Sequence, residues 1–302
     1  MTATERIQRL KKEKNAVILA HNYTLPEVQE VADFVGDSLG LSIAAKHTDC
    51  NIIVFCGVYF MAETAKILSP EKKVLIPDPE AGCPMADMLR LEDLRNLKAK
   101  YPRARVLSYV NTHASVKAES DLVCTSANAA QIVERGFSQD EEILFVPDQY
   151  LAQYVASCTK RQFILFPGYC PVHVAITEAH ILEAKKKHPE ALVLAHPECR
   201  PEVLRHADCV LSTEGMCRYV KTSPCKAFII ATEVGIIPRM EKENPGKQFI
   251  PAFSGAICEN MKKITLEKVL VSLEEETHEV LLPEEVVRRA HRVIERMLAL
   301  SK

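Results

Sequence analysis

The sequence predicts an α/β protein of three similar αβα units, each with a four-stranded parallel sheet, set with pseudo-threefold symmetry around a central cavity and followed by C-terminal helices. Two observations predict it. Apolar runs of strand length alternate with charged amphipathic stretches, which implies parallel strands joined by crossover helices with both sheet faces covered. The same order of landmarks also recurs three times in 302 residues, so each motif is read by its place in a repeat.

Each unit opens on a charged segment ending in a basic turn, at residues 9–15, 95–102 and 183–189. A β-rich run with polar residues at its end follows, at 17–23, 106–112 and 193–198. Next comes an Asp, a few apolar residues and a hydroxyl: Asp33 to Ser38, Asp121 to Ser126, and Asp208 to Ser212 and Thr213. Third apolar runs lie at 52–55, 143–146 and 228–231, and fourth runs at 74–76, 163–166 and 249–250. A cysteine follows each fourth run. Cys83, Cys170 and Cys258 are spaced by 87 and 88 residues, and Lys14, Lys100 and Lys187 by 86 and 87. The expected units are therefore 1–88, 89–175 and 176–263, with a helical tail over 264–302. Its helices are expected at 265–280 and 283–300, Pro283 standing in a first turn where a missing N–H costs little. Residues 59–61 are expected in a loop covering the cavity.

Composition narrows the function. With 38 basic and 40 acidic residues the net charge is −2, and no basic block marks a nucleic-acid surface. The first 15 residues lack the apolar core of a signal peptide, and no apolar run approaches membrane length. A cytoplasmic protein acting on small molecules is expected, without nucleic-acid or membrane partners. Its eleven cysteines are odd in number and carry no CxxC spacing, so a disulfide framework is not expected. About eight of them read as small buried hydrophobes.

The repeated three are different. In open parallel sheets ligands gather beyond the carboxyl ends of the strands. His21, Tyr23, Tyr109, Asn111, His196 and Glu198 lie at such ends, and so do the repeated hydroxyls and cysteines. Three convergent thiolates suit an iron–sulfur cluster with one open iron, or a metal ion, and an open metal position favours dehydration chemistry. His196 and Glu198, two residues apart, form an acid–base candidate pair. Ser38, Ser126, Ser212 and Thr213 precede helical patterns, where they serve as N-caps or as anion contacts.

Together these stretches resemble the quinolinate synthase family over essentially the whole chain. The resemblance is carried by 19–23 (LAHNY), 32–39 (ADFVGDSL), 83–86 (CPMA), 124–128 (CTSAN), 170–173 (CPVH), 196–199 (HPEC), 232–235 (TEVG) and 258–263 (CENMKK). It implies an oxygen-sensitive transferase of de novo NAD biosynthesis that condenses iminoaspartate with dihydroxyacetone phosphate to give quinolinate, phosphate and two waters. It further implies a [4Fe-4S] cluster on Cys83, Cys170 and Cys258, its fourth iron open to the forming pyridine ring. Glu198 and Tyr23 are implied as the acid–base pair, assisted by His196 and His21. Tyr109, Asn111, Ser38, Ser126, His173, Ser212 and Thr213 are implied as carboxylate and phosphate contacts, and an aspartate-oxidising enzyme as a functional partner. Leu211 and Glu214 depart from the smaller residues usual beside the third hydroxyl pair, and the C-terminal CxxCxxC of some members is absent. The rival readings are a zinc lyase or hydrolase on the same thiolates, and a binding or redox-sensing protein without turnover.

Overall fold

The computed structural model describes residues 2–302, and its α/β architecture holds three four-stranded parallel sheets. In the first, β1 (Ala16–His21), β2 (Phe34–Gly36), β3 (Ile52–Cys56) and β4 (Lys73–Leu75) stand in the order β2-β1-β3-β4. The second repeats that order as β6-β5-β7-β8, from β5 (Arg105–Tyr109), β6 (Leu122–Cys124), β7 (Ile143–Val146) and β8 (Ile164–Leu165). In the third, β9 (Leu192–Ala195), β10 (Cys209–Val210), β11 (Ala227–Ala231) and β12 (Gln248–Pro251) run β10-β9-β11-β12. The fold class expected from the sequence is the one observed. Central strands such as β3 and β11 are buried along their whole length, as β-branched strands covered on both faces must be. In every sheet the order reverses between the first and third strands, the switch point beside which ligands bind.

The three repeated aspartates prove to be clamps. Asp33, Asp121 and Asp208 each accept, at 2.8 Å, the backbone N–H of the residue fifteen positions earlier: Ile18, Val106 and Val193. Each Asp N–H donates back to the carbonyl of that same residue, at 2.9, 3.0 and 2.9 Å. The double bond starts the ladder between the first and second strands. It lets the second strand be very short, only two residues in β10.

The tail departs from expectation at its boundaries. Thr265 is the N-cap of its first helix, Leu266–Glu275, which stops five residues early as Glu276 turns left-handed at φ 52°. The chain then runs antiparallel along β4: Ile76 N–H donates to the His278 carbonyl at 3.1 Å and Val280 N–H to that of Val74 at 2.8 Å. Pairing an open sheet edge wins here over continuing the helix. Pro283 is the N-cap of Glu284–Leu300, just outside the first turn. That helix packs on β6 and on the Tyr59–Leu68 and Ala114–Ala118 helices, joining the first and second sheets. Residues 59–61 are no loop but the first turn of Tyr59–Leu68. Among the described residues no helix is long and apolar enough to cross a membrane.

Candidate active site

The carboxyl ends of the sheets meet at a cavity of about 240 Å³. His21, Tyr23, Ser38, Tyr109, Asn111, Ser126, His173, His196, Glu198 and Thr213 all line it, together with Cys83, Cys170 and Cys258. Ser212 does not. The paired positions are equivalent across the units: His21, Tyr109 and His196 stand three residues beyond the clamped residues Ile18, Val106 and Val193. Tyr23, Asn111 and Glu198 stand two further on. The His21–Tyr23 and His196–Glu198 pairs turn away at the strand ends and do not continue as extended strand. They sit in turns closed by Thr24 N–H to the His21 carbonyl at 3.0 Å and Cys199 N–H to the His196 carbonyl at 2.9 Å.

Those turns fix the histidine tautomers. The Tyr23 N–H donates to His21 Nδ1 at 3.2 Å, and the Glu198 N–H donates to His196 Nδ1 at 3.4 Å. The proton of each neutral ring therefore sits on Nε2. Burial drives both histidines down from 6.5 to about 3, so they stay uncharged donors near neutrality. His173 stacks on His196 with ring centroids 4.5 Å apart.

Glu198 is the negative centre. Burial pushes its carboxyl up, but the neighbouring His173 and His196 and the hydrogen bond from Tyr109 outweigh it and bring it down to about 2. The Tyr109 hydroxyl donates to Glu198 Oε1 at 2.5 Å. His173 Nδ1 approaches Oε2 to 2.8 Å, at ion-pair distance but without hydrogen-bond alignment. On the other side of the ring, His173 Nε2 lies 2.8 Å from Thr232 Oγ1, which lies 2.5 Å from the Tyr23 hydroxyl. A polar chain thus runs from Tyr109 through Glu198, His173 and Thr232 to Tyr23. Burial raises both phenols well above 10, so each keeps its proton.

The hydroxyls are placed by a ruler. Ser38, Ser126 and Thr213 each stand five residues after their clamp aspartate, and all three line the cavity. Ser38 is no N-cap, because Asp37 takes that place and accepts from the Gly40 N–H at 2.9 Å. Ser126 is not one either, since Asn128 holds the N-cap position of the next helix, without a side-chain cap bond. Ser212 is a cap: its Oγ accepts from the Gly215 N–H at 3.2 Å and donates to Asp37 Oδ2 at 3.1 Å.

Each repeated cysteine is the N-cap of a short helix, Pro84–Asp87, Pro171–Ala175 or Glu259–Lys262. Burial raises all three thiols, that of Cys83 to about 12, and the charges of the three oppose one another. They line one cavity and are too desolvated to ionise without a cationic partner. Cys170, His173 and Glu198 present ligand atoms all within 4.8 Å of one another. Of the eight other cysteines, Cys56, Cys124, Cys199 and Cys217 are buried and serve packing, whereas Cys50, Cys209 and Cys225 are half-buried and Cys158 is exposed, so fewer are core residues than the sequence implied.

Sequence reasoning missed several residues. Asp37 and Glu233 line the cavity. Glu233 accepts from the N–H groups of Gly235 and Cys258, at 2.7 and 3.1 Å, and pairs with Lys262 at 2.9 Å. Asp148 is fully buried, caps the Gln149–Thr159 helix through Oδ1 and leaves Oδ2 without a partner among the described residues. Val58, Asp148 and Glu233 all follow the third strand of their units, so aligning the repeats there could have found them.

Known proteins are similar to this chain from end to end. A family model described as quinolinate synthetase A protein matches residues 5–299. A quinolinate synthase of Thermus thermophilus is 54% identical over 306 residues, covering 98% of this chain and 97% of its own. One from Dehalococcoides mccartyi is 53% identical over 298 residues, covering 99% and 98%. One from Pyrobaculum aerophilum is 52% identical over 301 residues, covering 97% and 98%. With matches of this extent around a cavity so furnished, the chain is an enzyme and belongs to the quinolinate synthase family.

Proposed function

We propose that this enzyme condenses iminoaspartate with dihydroxyacetone phosphate, releasing quinolinate, phosphate and two waters, for de novo NAD synthesis in the cytoplasm. The observation that carries this reading is the meeting of Cys83, Cys170 and Cys258 with Glu198, His173, Tyr109 and Tyr23 in one cavity. Three soft thiols with no fourth fit a [4Fe-4S] cluster held by Cys83, Cys170 and Cys258. When bound, such a cluster offers an open iron as Lewis acid to substrate nitrogen or oxygen. The units 1–88, 89–175 and 176–263 each bring one of these cysteines, and 264–302 forms the tail.

The chain's own residues divide the remaining work. Glu198 accepts the proton lost in enolisation. At about 2 it is a weak base in the resting site, and an anionic substrate beside it raises its basicity by like-charge repulsion. Tyr23 keeps its proton and donates it to a departing hydroxyl, recharged through Thr232 and His173. His21 and His196 donate Nε2–H to substrate oxygens. Ser38, Tyr109, Asn111, Ser126, His173 and Thr213 orient the carboxylates and phosphate, with Ser212 serving from behind Thr213. Asn111 Oδ1 is buried without a partner among the described residues, which suits a ligand contact. Iminoaspartate is unstable in water, so supply by an aspartate-oxidising enzyme suits the enclosed site.

Anaerobic purification with iron and sulfide analysis, followed by a quinolinate assay, tests the reading. About four irons and four sulfides per chain are expected. A colourless protein holding one zinc would overturn it. The 4.8 Å grouping of Cys170, His173 and Glu198 favours one alternative, a single metal ion on those three ligands. In that case Cys83→Ala and Cys258→Ala would both retain stoichiometric metal.

A further inference from the structure

Glu214, next to Thr213, has a charged partner in the structure. Arg239 Nη1 donates to Glu214 Oε2 at 2.9 Å, and Arg239 Nε donates to Glu243 Oε1 at 2.7 Å. The same Nη1 donates to Asn22 Oδ1 at 2.5 Å, across from the third unit to the first. Asn22 is fully buried, and its Nδ2 donates to Thr213 Oγ1 at 2.9 Å.

We infer that Arg239 is a positioning residue that makes Thr213 a hydrogen-bond donor to an anionic group of the substrate in the cavity. A guanidinium has donors only, so the Asn22 atom facing it must be the carbonyl oxygen. The amide nitrogen then faces Thr213 and occupies a lone pair of its hydroxyl oxygen. No acceptor for the Thr213 proton exists among the described residues, and Thr213 lines the cavity. That proton is left to a ligand oxygen, a carboxylate or a phosphate. Glu214 and Glu243 balance the Arg239 charge at a half-buried site, where an unpaired guanidinium would be costly. The inference deepens the proposed function by assigning how one substrate contact is oriented.

Asn22→Asp keeps the size and the Arg239 contact and removes the amide donor. At pH 8 the new carboxylate beside Arg239 is ionised, and the Thr213 hydroxyl turns to donate to it instead of to the ligand. The expected result is a KM raised about tenfold or more for one of the two substrates, with kcat within about threefold and no loss of melting temperature. The substrate affected tells carboxylate from phosphate. Arg239→Lys, still a pure donor, should keep KM near wild type. Arg239→Gln, which can present an acceptor and lets the amide flip, should raise it. Unchanged KM values for both substrates in Asn22→Asp overturn the inference while leaving the proposed reaction intact. Wild-type protein that makes no quinolinate condemns the reaction instead. Titration of the wild-type and Asn22→Asp holoproteins with inorganic phosphate and with malate then judges the network, equal affinities counting against it.

Discussion

His173 Nδ1 lies 2.8 Å from Glu198 Oε2, and both side chains are only 3% exposed. A buried carboxylate in such a contact is held ionised by its neighbours, and its charge is what a proton-accepting role requires. Glu198→Gln preserves the volume and removes the charge. Quinolinate formation is expected to fall by about 10²- to 10⁴-fold, the usual span for a positioned base, with iron content unchanged. Near-normal turnover in this variant would remove Glu198 from the chemistry.

The cysteines should divide cleanly by place. Cys170→Ala is expected to lose the cluster absorbance and activity together, and intact absorbance with full activity would sink its assignment as a ligand. Cys199 is fully buried, and its Sγ donates to the Ala231 carbonyl at 3.4 Å. Cys199→Ala should therefore keep its iron and lose about 1–2 kcal/mol of stability through the small cavity and the unmade hydrogen bond. Denaturant midpoints and iron analysis on both proteins check the contrast.

Acid should weaken the fold through the two cavity histidines. In the native protein His21 and His196 protonate only near pH 3, whereas in the unfolded chain they do so near 6.5. Between those values the unfolded state binds more protons, so stability is full above 6.5 and falls as the pH drops. At pH 5 the loss is about 2 kcal/mol for each histidine. Urea melts of the wild type and of His21→Asn/His196→Asn from pH 7.5 to 5 measure it. Equal slopes in the two proteins would contradict the assignment.

The aspartate clamps predict a stability effect separate from catalysis. Asp208→Ala leaves the Val193 N–H without its side-chain acceptor and should cost about 1–3 kcal/mol. Asp208→Asn, whose amide oxygen still accepts, should cost less. Both are expected to retain iron, and a loss of iron with wild-type stability would argue for a different role.

The three-sheet plan was legible because strand runs and cysteines keep one period, and burial imposes that pattern on sequence directly. The cavity-lining residues were legible because strand ends are local features. What escaped notice depends on distance through space. Nothing near Glu198 in the chain announces His173 as its partner, and the aspartates look like loop residues until the N–H fifteen positions back is seen to face them. The neutral state of His196 is set by desolvation, which the sequence does not display. Thr265–Glu275 reads as part of a longer helix because propensity alone cannot foresee that 276–280 will pair with β4.

The spacing between clamp and hydroxyl carries a consequence for engineering. Since Asp33, Asp121 and Asp208 anchor the chain at one point and Ser38, Ser126 and Thr213 project into the cavity a fixed distance later, these three segments have no slack. A single residue inserted between Cys124 and Ser126 would rotate the hydroxyl out of the cavity while leaving β6 and the helix that follows able to form. Surface loops elsewhere absorb such insertions at little cost. Length, more than side-chain identity, is what these segments cannot give up, and a library that varies composition there at constant length is the one that would keep functional folds.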